Sequence, residues 1–203
     1  MKNQRNLRIY RYWAPLYDAW VPLLSGRARQ HAIGMLNPQP GERLLIPGIG
    51  TGLDLPHLPH GISITGVDYS PDMLARIQAK NRTANLAQMD AQQLGFPDDS
   101  FDAVLFNLIL SVVPNGVTAF QAGWRALRPG GRAVIFDKFL PEHAPLTPAR
   151  RLLGHVITSL GTDPNRRLVD IIGNTPDVSV ARDEPSLLLG QYRILLLKKD
   201  EAS

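Results

Sequence analysis

The 203-residue chain carries 22 Lys and Arg against 18 Asp and Glu, is 44% hydrophobic and 20% charged, and has no cysteine. That length suits one domain around one substantial core, and the composition is that of an ordinary soluble globular protein. Disulfides, thiolate nucleophiles and Cys-based zinc sites are excluded. No apolar run reaches the length of a membrane span and the first residues lack a secretory core, so a cytoplasmic location is expected.

Residues 5–24 place Leu7, Tyr10, Trp13, Ala14, Tyr17, Trp20, Val21 and Leu24 at steps of three and four. Such steps make one helical stripe, which Pro15 and Pro22 break into short pieces. Residues 1–36 are expected to form a helical lid over a pocket. Within residues 1–29 six basic side chains (Lys2, Arg5, Arg8, Arg11, Arg27 and Arg29) stand against one acid, Asp18. The surplus suits peripheral contact with an anionic membrane surface, worth about 1 kcal/mol per basic residue near it. Trp and Tyr favour the headgroup level, although the cations also suit a plain solvated face and the aromatics a lid packed on its own domain.

Residues 42–68 read ERLLIPGIGTGLDLPHLPHGISITGVD. Leu44, Leu45 and Ile46 form an apolar run that fits a buried strand and is too short for a helix. Gly48, Gly50 and Gly52 follow on alternate positions, where glycine takes φ > 0 and lets backbone N–H groups approach a ligand. A second apolar run, from Ile62 to Val67, ends in Asp68, 20 residues after Gly48. At that spacing a carboxylate on the next parallel strand reaches a ribose held over the turn. The third glycine comes one residue earlier than in the dinucleotide pattern G-x-G-x-x-G, whose last slot here holds Leu53. Residues 53–58 are expected to open a first helix, kept short by Pro56 and Pro59.

After Asp68, YSPDMLARIQAK starts a helix with Ser70 as N-cap, Pro71 at the first position and Asp72 in the first turn. Residues 85–90, NLAQMD, read as a strand ending in Asp90, a second acid at a strand tip or a cap for the next turn. Phe101 to Leu110 reads as a parallel strand buried on both faces. It carries Asn107 near its C-terminal end, where open α/β sheets place their ligands. Residues 117–127 suggest an amphipathic helix burying Phe120, Trp124 and Leu127, RPGG at 128–131 a turn, and Arg132 to Phe139 another strand. Asp137 and Lys138 end it, either facing substrate or pairing with neighbours. In residues 141–177, TDPNRRL sets Arg166 and Arg167 in the first turn of a helix, where the dipole disfavours cations. That placement suits a phosphate held by paired arginines, or arginines left in solvent. His143 and His155 have no partner at metal-ligand spacing, so no metal site is expected. DVSVARDE and YRILLLKK read as two closing strands.

The G-x-G-x-G turn, Asp68 followed by YSPDML, and LRPGGRAV resemble the class I S-adenosylmethionine-dependent methyltransferases. YRYWAPLYD and SVVP resemble, within that family, the enzymes acting on phosphatidylethanolamine and the menaquinone–ubiquinone C-methyltransferases. The resemblance is dense from 42 to 139 and implies an α/β, Rossmann-like fold. Its sheet would be seven-stranded and mostly parallel, with helices on both faces and an antiparallel last strand. Residues 37–140 would form the cofactor-binding core, 141–177 a substrate-side insertion and 178–203 the C-terminal strands. The resemblance implies S-adenosylmethionine as cofactor and S-adenosylhomocysteine as product. Gly48, Gly50, Thr51 and Gly52 would form the cofactor turn, with Met73 in the same site. Asp68 would accept the ribose hydroxyls, Tyr69 cover the adenine, and Asp90 with Ala91 take its amino group. Tyr10 and Tyr17 would serve the methionine end, and Asn107 would bind that end or the substrate. In one departure, Ile46 stands where the family usually has Glu or Asp. Candidate general bases are Asp137, Tyr17 and His143. The implied reaction is N-methylation of a lipid-like amine such as phosphatidylethanolamine. The alternatives are a soluble small molecule or quinone as acceptor, or a catalytically silent binding module. No nucleic-acid partner is expected, and the oligomeric state is left open.

Overall fold

The computed structural model describes residues 25–78, 84–140 and 165–201. Tyr10, Tyr17, the rest of the aromatic stripe, His143 and His155 lie outside the described residues. The strands are β1 (Arg43–Pro47), β2 (Ser63–Asp68), β3 (Asn85–Gln88), β4 (Phe101–Asn107), β5 (Leu127–Lys138), β6 (Val178–Pro185) and β7 (Tyr192–Lys199). They form a seven-stranded sheet in the order β3-β2-β1-β4-β5-β7-β6. β1 to β5 pair in parallel, and β7 runs antiparallel to both of its neighbours. The helices are α1 (residues 25–36), α2 (Pro71–Gln78), α3 (Gly116–Ala126), α4 (Leu168–Ile172) and α5 (Leu187–Gly190).

Alternation along the strands explains why both sheet faces are covered. Successive side chains point to opposite faces. Leu45, Val104 and Phe106 therefore enter one core with Phe120 and Trp124 of α3, while Leu44, Ile46 and Leu105 enter the other with Ala32, Ile33 and Leu36 of α1. The central strands read as continuous apolar runs because parallel strands of this kind meet helices on each side. α3 starts where the Asn115 side chain accepts the Thr118 N–H at 3.2 Å and buries a Phe120–Trp124 stack with centroids 5.4 Å apart. Residues 25–36, expected with the lid, instead form a core layer.

Three other local expectations change. The helix expected from Leu53 is only a 3-10 turn, Leu55–His57, because Pro56 and Pro59 interrupt it. β3 ends at Gln88, so Asp90 stands in the loop beyond it. RPGG is not a turn ahead of β5 but an irregularity within it. Phe101 pairs with Leu127 and Ala103 with Arg132, so residues 128–131 leave the ladder.

Arg132 fastens α1 to the sheet. Its Nε donates to the Leu36 carbonyl at 2.6 Å and Nη2 to that of Asn37 at 2.7 Å, where α1 ends. Nη1 and Nη2 hold the two Glu42 oxygens at 2.9 and 2.7 Å. This fork satisfies orphan carbonyls of a helix terminus and a carboxylate together. The Arg132 guanidinium holds the Glu42 carboxyl below its usual range. The clamp's stability is therefore present above the ordinary Glu range and lost as pH falls through the depressed value. Arg132→Met is expected to lower stability at neutral pH by about 1.5–3 kcal/mol and to abolish this acid-dependent loss, as read by urea melts at neutral pH and about pH 3.

Candidate active site

A cavity of about 950 Å³ of empty space, part of it open to solvent, lies at the carboxyl ends of the parallel strands. Its wall is built from the turn after β1, the tip of β2 and the loops after β3 and β4. That is where open α/β sheets take ligands. In the turn Gly48, Gly50 and Gly52 have φ of +69°, +58° and +76°, a region L side chains rarely adopt. The Gly48 and Ile49 N–H groups donate to the Val67 carbonyl at 2.7 and 3.0 Å, which fixes the turn to β2. A Cβ on Gly48 would collide with the Ile109 side chain, whereas at Gly50 it would meet nothing within 4 Å.

Asp68 locks this arrangement. Its Oδ2 accepts the Gly50 N–H and its Oδ1 the Ser70 N–H, both at 2.9 Å. Burial pushes the carboxyl above its ordinary range, against the Ser70, Gly50 and Tyr69 N–H groups, which favour the charged form. Asp90 accepts the Gln92 N–H at 2.9 Å and the Gln92 side-chain amide at 3.0 Å, so it also closes its own turn.

The structure brings Gly48, Gly50, Thr51, Asp68, Tyr69, Met73, Asp90, Ala91 and Asn107 onto this one wall. Gly52 is not on it: a Cβ there would lie 3.0 Å from Ile77 and Leu55, beneath the turn.

Residues 45–135 match the family model described as a methyltransferase domain. The chain is 36% identical over 160 residues to a phosphatidylethanolamine N-methyltransferase of Cereibacter sphaeroides, an alignment covering 76% of this chain and 78% of that protein. It is also 36% identical over 120 residues to a demethylmenaquinone methyltransferase of Beutenbergia cavernae, covering 58% of this chain and 49% of the relative. A solved S-adenosylmethionine-dependent methyltransferase of Thermotoga maritima shares the fold, with a TM-score of 0.70 at 18% identity over 95% of this chain and 99% of its own. The chain belongs to the class I S-adenosylmethionine-dependent methyltransferases.

Two expectations for this methyltransferase are corrected by the geometry. Asp137 does not face the substrate mouth. It is fully buried and off the cavity wall, with Oδ2 accepting the Ser111 N–H at 2.9 Å and Oδ1 the Lys138 N–H at 2.8 Å. Burial pushes its carboxyl up. A carboxylate sealed in this way anchors the loop after β4 and cannot serve as a general base for an acceptor in the cavity. Arg166 is not half of a phosphate clamp, because α4 begins only at Leu168. Its guanidinium instead donates to the carbonyls of Leu110, Val113 and Pro114, the last two at 2.6 and 2.9 Å.

Sequence reasoning misses Arg29 and Asp54. In the sequence Arg29 groups with the surface cations, yet it is 5% exposed and on the cavity wall, and its Nη1 donates to Asp54 Oδ1 at 2.7 Å. The signal that could have found it is periodicity: Arg29 precedes Ala32 and Ile33 by three and four residues, on the face α1 buries. Asp54 is 2% exposed and also accepts from Asn107 Nδ2 at 2.7 Å. Removing one partner of a buried ion pair leaves an uncompensated charge, so Asp54→Ala should cost about 3–5 kcal/mol in urea unfolding, with Arg29→Met added to it recovering much of the loss.

Proposed function

We propose that this methyltransferase transfers a methyl group from S-adenosylmethionine to the nitrogen of a lipid-like amine such as phosphatidylethanolamine. The observation that carries the site assignment is the meeting of the glycine turn, Asp68 and Asp90 on one cavity wall. The acceptor assignment draws on the similarity to the Cereibacter enzyme, which spans 78% of that relative's length. The aromatic and basic N-terminal segment agrees with it. Among the described residues no helix is long and apolar enough to cross a membrane, and the proposed contact with a bilayer is peripheral.

The residues present fit the cofactor. The turn at Gly48, Gly50 and Thr51 clears space for it, and Asp68 keeps acceptor capacity for ribose hydroxyls beyond its two backbone partners. Tyr69, 36% exposed, offers a ring face for adenine, with Met73 next to it and Asp90 and Ala91 positioned for the exocyclic amine. Asn107 stands on the opposite side of the glycine turn. Bound S-adenosylmethionine supplies an activated methyl group on a sulfonium, open to in-line displacement. The chain supplies alignment and dryness through the apolar wall of Ile109, Val112 and Val113. An amine acceptor must shed a proton to expose its lone pair. Among the described residues Asp68 and Asp90 are the only acids on the wall, and both belong to the cofactor side. Tyr17, which lies outside the described residues, is the proposed proton acceptor, and the family resemblance implies that it and Tyr10 serve the methionine end. A second reading, C-methylation of a quinone, is favoured by the demethylmenaquinone methyltransferase similarity.

Labelled-methyl transfer to phosphatidylethanolamine vesicles, to a demethylated quinone and to soluble amines separates these readings. The lipid reading expects label in the phospholipid. Label in the quinone alone would replace it with the second reading, and cofactor binding without transfer to any acceptor would leave a silent binding module. A pH series adds an independent check. Ribose hydroxyls donate to ionised Asp68, so protons compete with the ligand. S-adenosylhomocysteine affinity, measured by calorimetry, should be full above the raised Asp68 pKa and fall as pH drops through it. Asp68→Asn should bind weakly and without that dependence.

A further inference from the structure

The hairpin that joins β6 to β7 is unlike an ordinary polar surface turn. Residues 185–192, PSLLLGQY, carry no charge and set three leucines in succession. Leu188 is 66% exposed, the most open of the large apolar side chains among the described residues. It also stands at φ +51°, in a region that favours glycine or asparagine. Water and backbone strain both disfavour leucine there, so its presence points to a contact made outside the fold. The backbone of the turn is meanwhile closed on itself. The Ser186 N–H donates to the Tyr192 carbonyl at 2.8 Å, and the Gln191 N–H to that of Leu188 at 3.2 Å. Leu187 and Tyr192 pack against the α1 side of the core and brace the turn from below.

Its position names the contact. Tyr192 pairs with Lys138 at the carboxyl end of β5, so the hairpin tip lies on the sheet edge that bears the cavity. In the order β4-β5-β7-β6 the tip stands two to three strand spacings from the end of β4, roughly 10–14 Å. α1 starts on the same edge, because Arg29 near its start is on the cavity wall while Leu36 at its end meets Arg132. His31 Nε2 and Glu184 Oε2, 2.7 Å apart, bring α1 against β6. From that contact α1 reaches back six residues to Ser25, about 9 Å, while β6 passes into the tip. The start of α1 and the hairpin thus rise side by side. Arg27 is exposed on the first turn of α1, and the aromatic and basic residues 1–24 precede it in the chain.

We infer that the β6–β7 hairpin is a membrane-docking element, with Leu188 entering an anionic bilayer and Arg27 meeting its headgroups. A leucine suits the acyl boundary and an arginine the phosphates above it. A bilayer touching the tip lies across the mouth of the cavity, where an amine on a lipid headgroup has the shortest path to it. The inference rests on the lipid reading of the acceptor, and it assigns a surface apart from the cavity wall and from residues 1–24.

The chain has no cysteine, so Leu188→Cys and a control, Val180→Cys, each take one environment-sensitive fluorophore. Val180 is 49% exposed and pairs with Leu197, away from the tip. On adding vesicles of phosphatidylglycerol and phosphatidylethanolamine, emission from position 188 is expected to shift to the blue and that from 180 to stay. Leu188→Asn, whose side chain tolerates the left-handed backbone, should keep its melting temperature. It should weaken vesicle sedimentation about tenfold and raise KM for vesicle-borne phosphatidylethanolamine to match, with S-adenosylhomocysteine affinity within about twofold. A protein that sediments with the vesicles or methylates their lipid while the 188 probe stays in water overturns the inference and leaves the lipid reading standing. Wild-type behaviour of Leu188→Asn does the same. A 188 probe shielded before vesicles are added also overturns it, because residues 1–24 or a second copy would then cover the tip. No sedimentation together with no methyl transfer to phospholipid overturns both readings.

Discussion

The site depends on the bridge from the Asp68 carboxylate to the Gly50 and Ser70 N–H groups. Through these two bonds, each 2.9 Å, one side chain ties the turn after β1 to the tip of β2. The turn cannot hold itself, because its three glycines carry little conformational preference of their own. Asp68 and the Val67 carbonyl impose the shape, and the Ile109 side chain fills the space that a Cβ at Gly48 would need. Burying a carboxylate opposes its ionisation, as the raised pKa of Asp68 records. Its use here fits a position where ordered N–H groups and spare acceptor capacity are both needed.

The opposite wall is held in a related way. The loop after β4 receives no regular ladder, since Leu108 leaves the strand with φ +58°. Asp137 takes its Ser111 N–H from one side, and Arg166 takes the carbonyls of Leu110, Val113 and Pro114 from the other. The apolar side chains of Ile109, Val112 and Val113 are thereby presented to the cavity by two charged groups that do not themselves face it. Asp137, Arg166 and Asp54 thus work behind the wall, while Asp68, Asp90 and Arg29 stand on it.

Much of the framework is legible in the sequence because its signals are local. Short apolar runs closed by glycine or an acid identify β1 and β2, and Ser70-Pro71-Asp72 marks the start of α2 whatever packs on it. The number of strands and the direction of β7 come from family resemblance, and the strand order from the structure alone, since pairing across the sheet leaves no local trace. Arg29 escapes a sequence reading because a basic residue on a helix looks the same whether it meets water or a buried acid. Its partner, Asp54, stands 25 positions later in the chain. Asp137 misleads for the same reason: a polar residue at a strand tip looks alike whether it faces a ligand or backbone N–H groups. RPGG reads as a turn because the pattern is unchanged when the excursion lies inside a strand.

The central claim is that the glycine turn after β1 and the acids that follow β2 and β3 serve one nucleoside. Calorimetric titration of S-adenosylhomocysteine into the wild type, Asp68→Ala and Asp90→Ala, each shown to be folded, tests it most directly. Asp68 holds the glycine turn while Asp90 closes the turn at Gln92, so the second variant separates ligand contact from support of the glycines. The account expects each substitution to weaken binding about tenfold or more. Full affinity retained by both folded variants would contradict it.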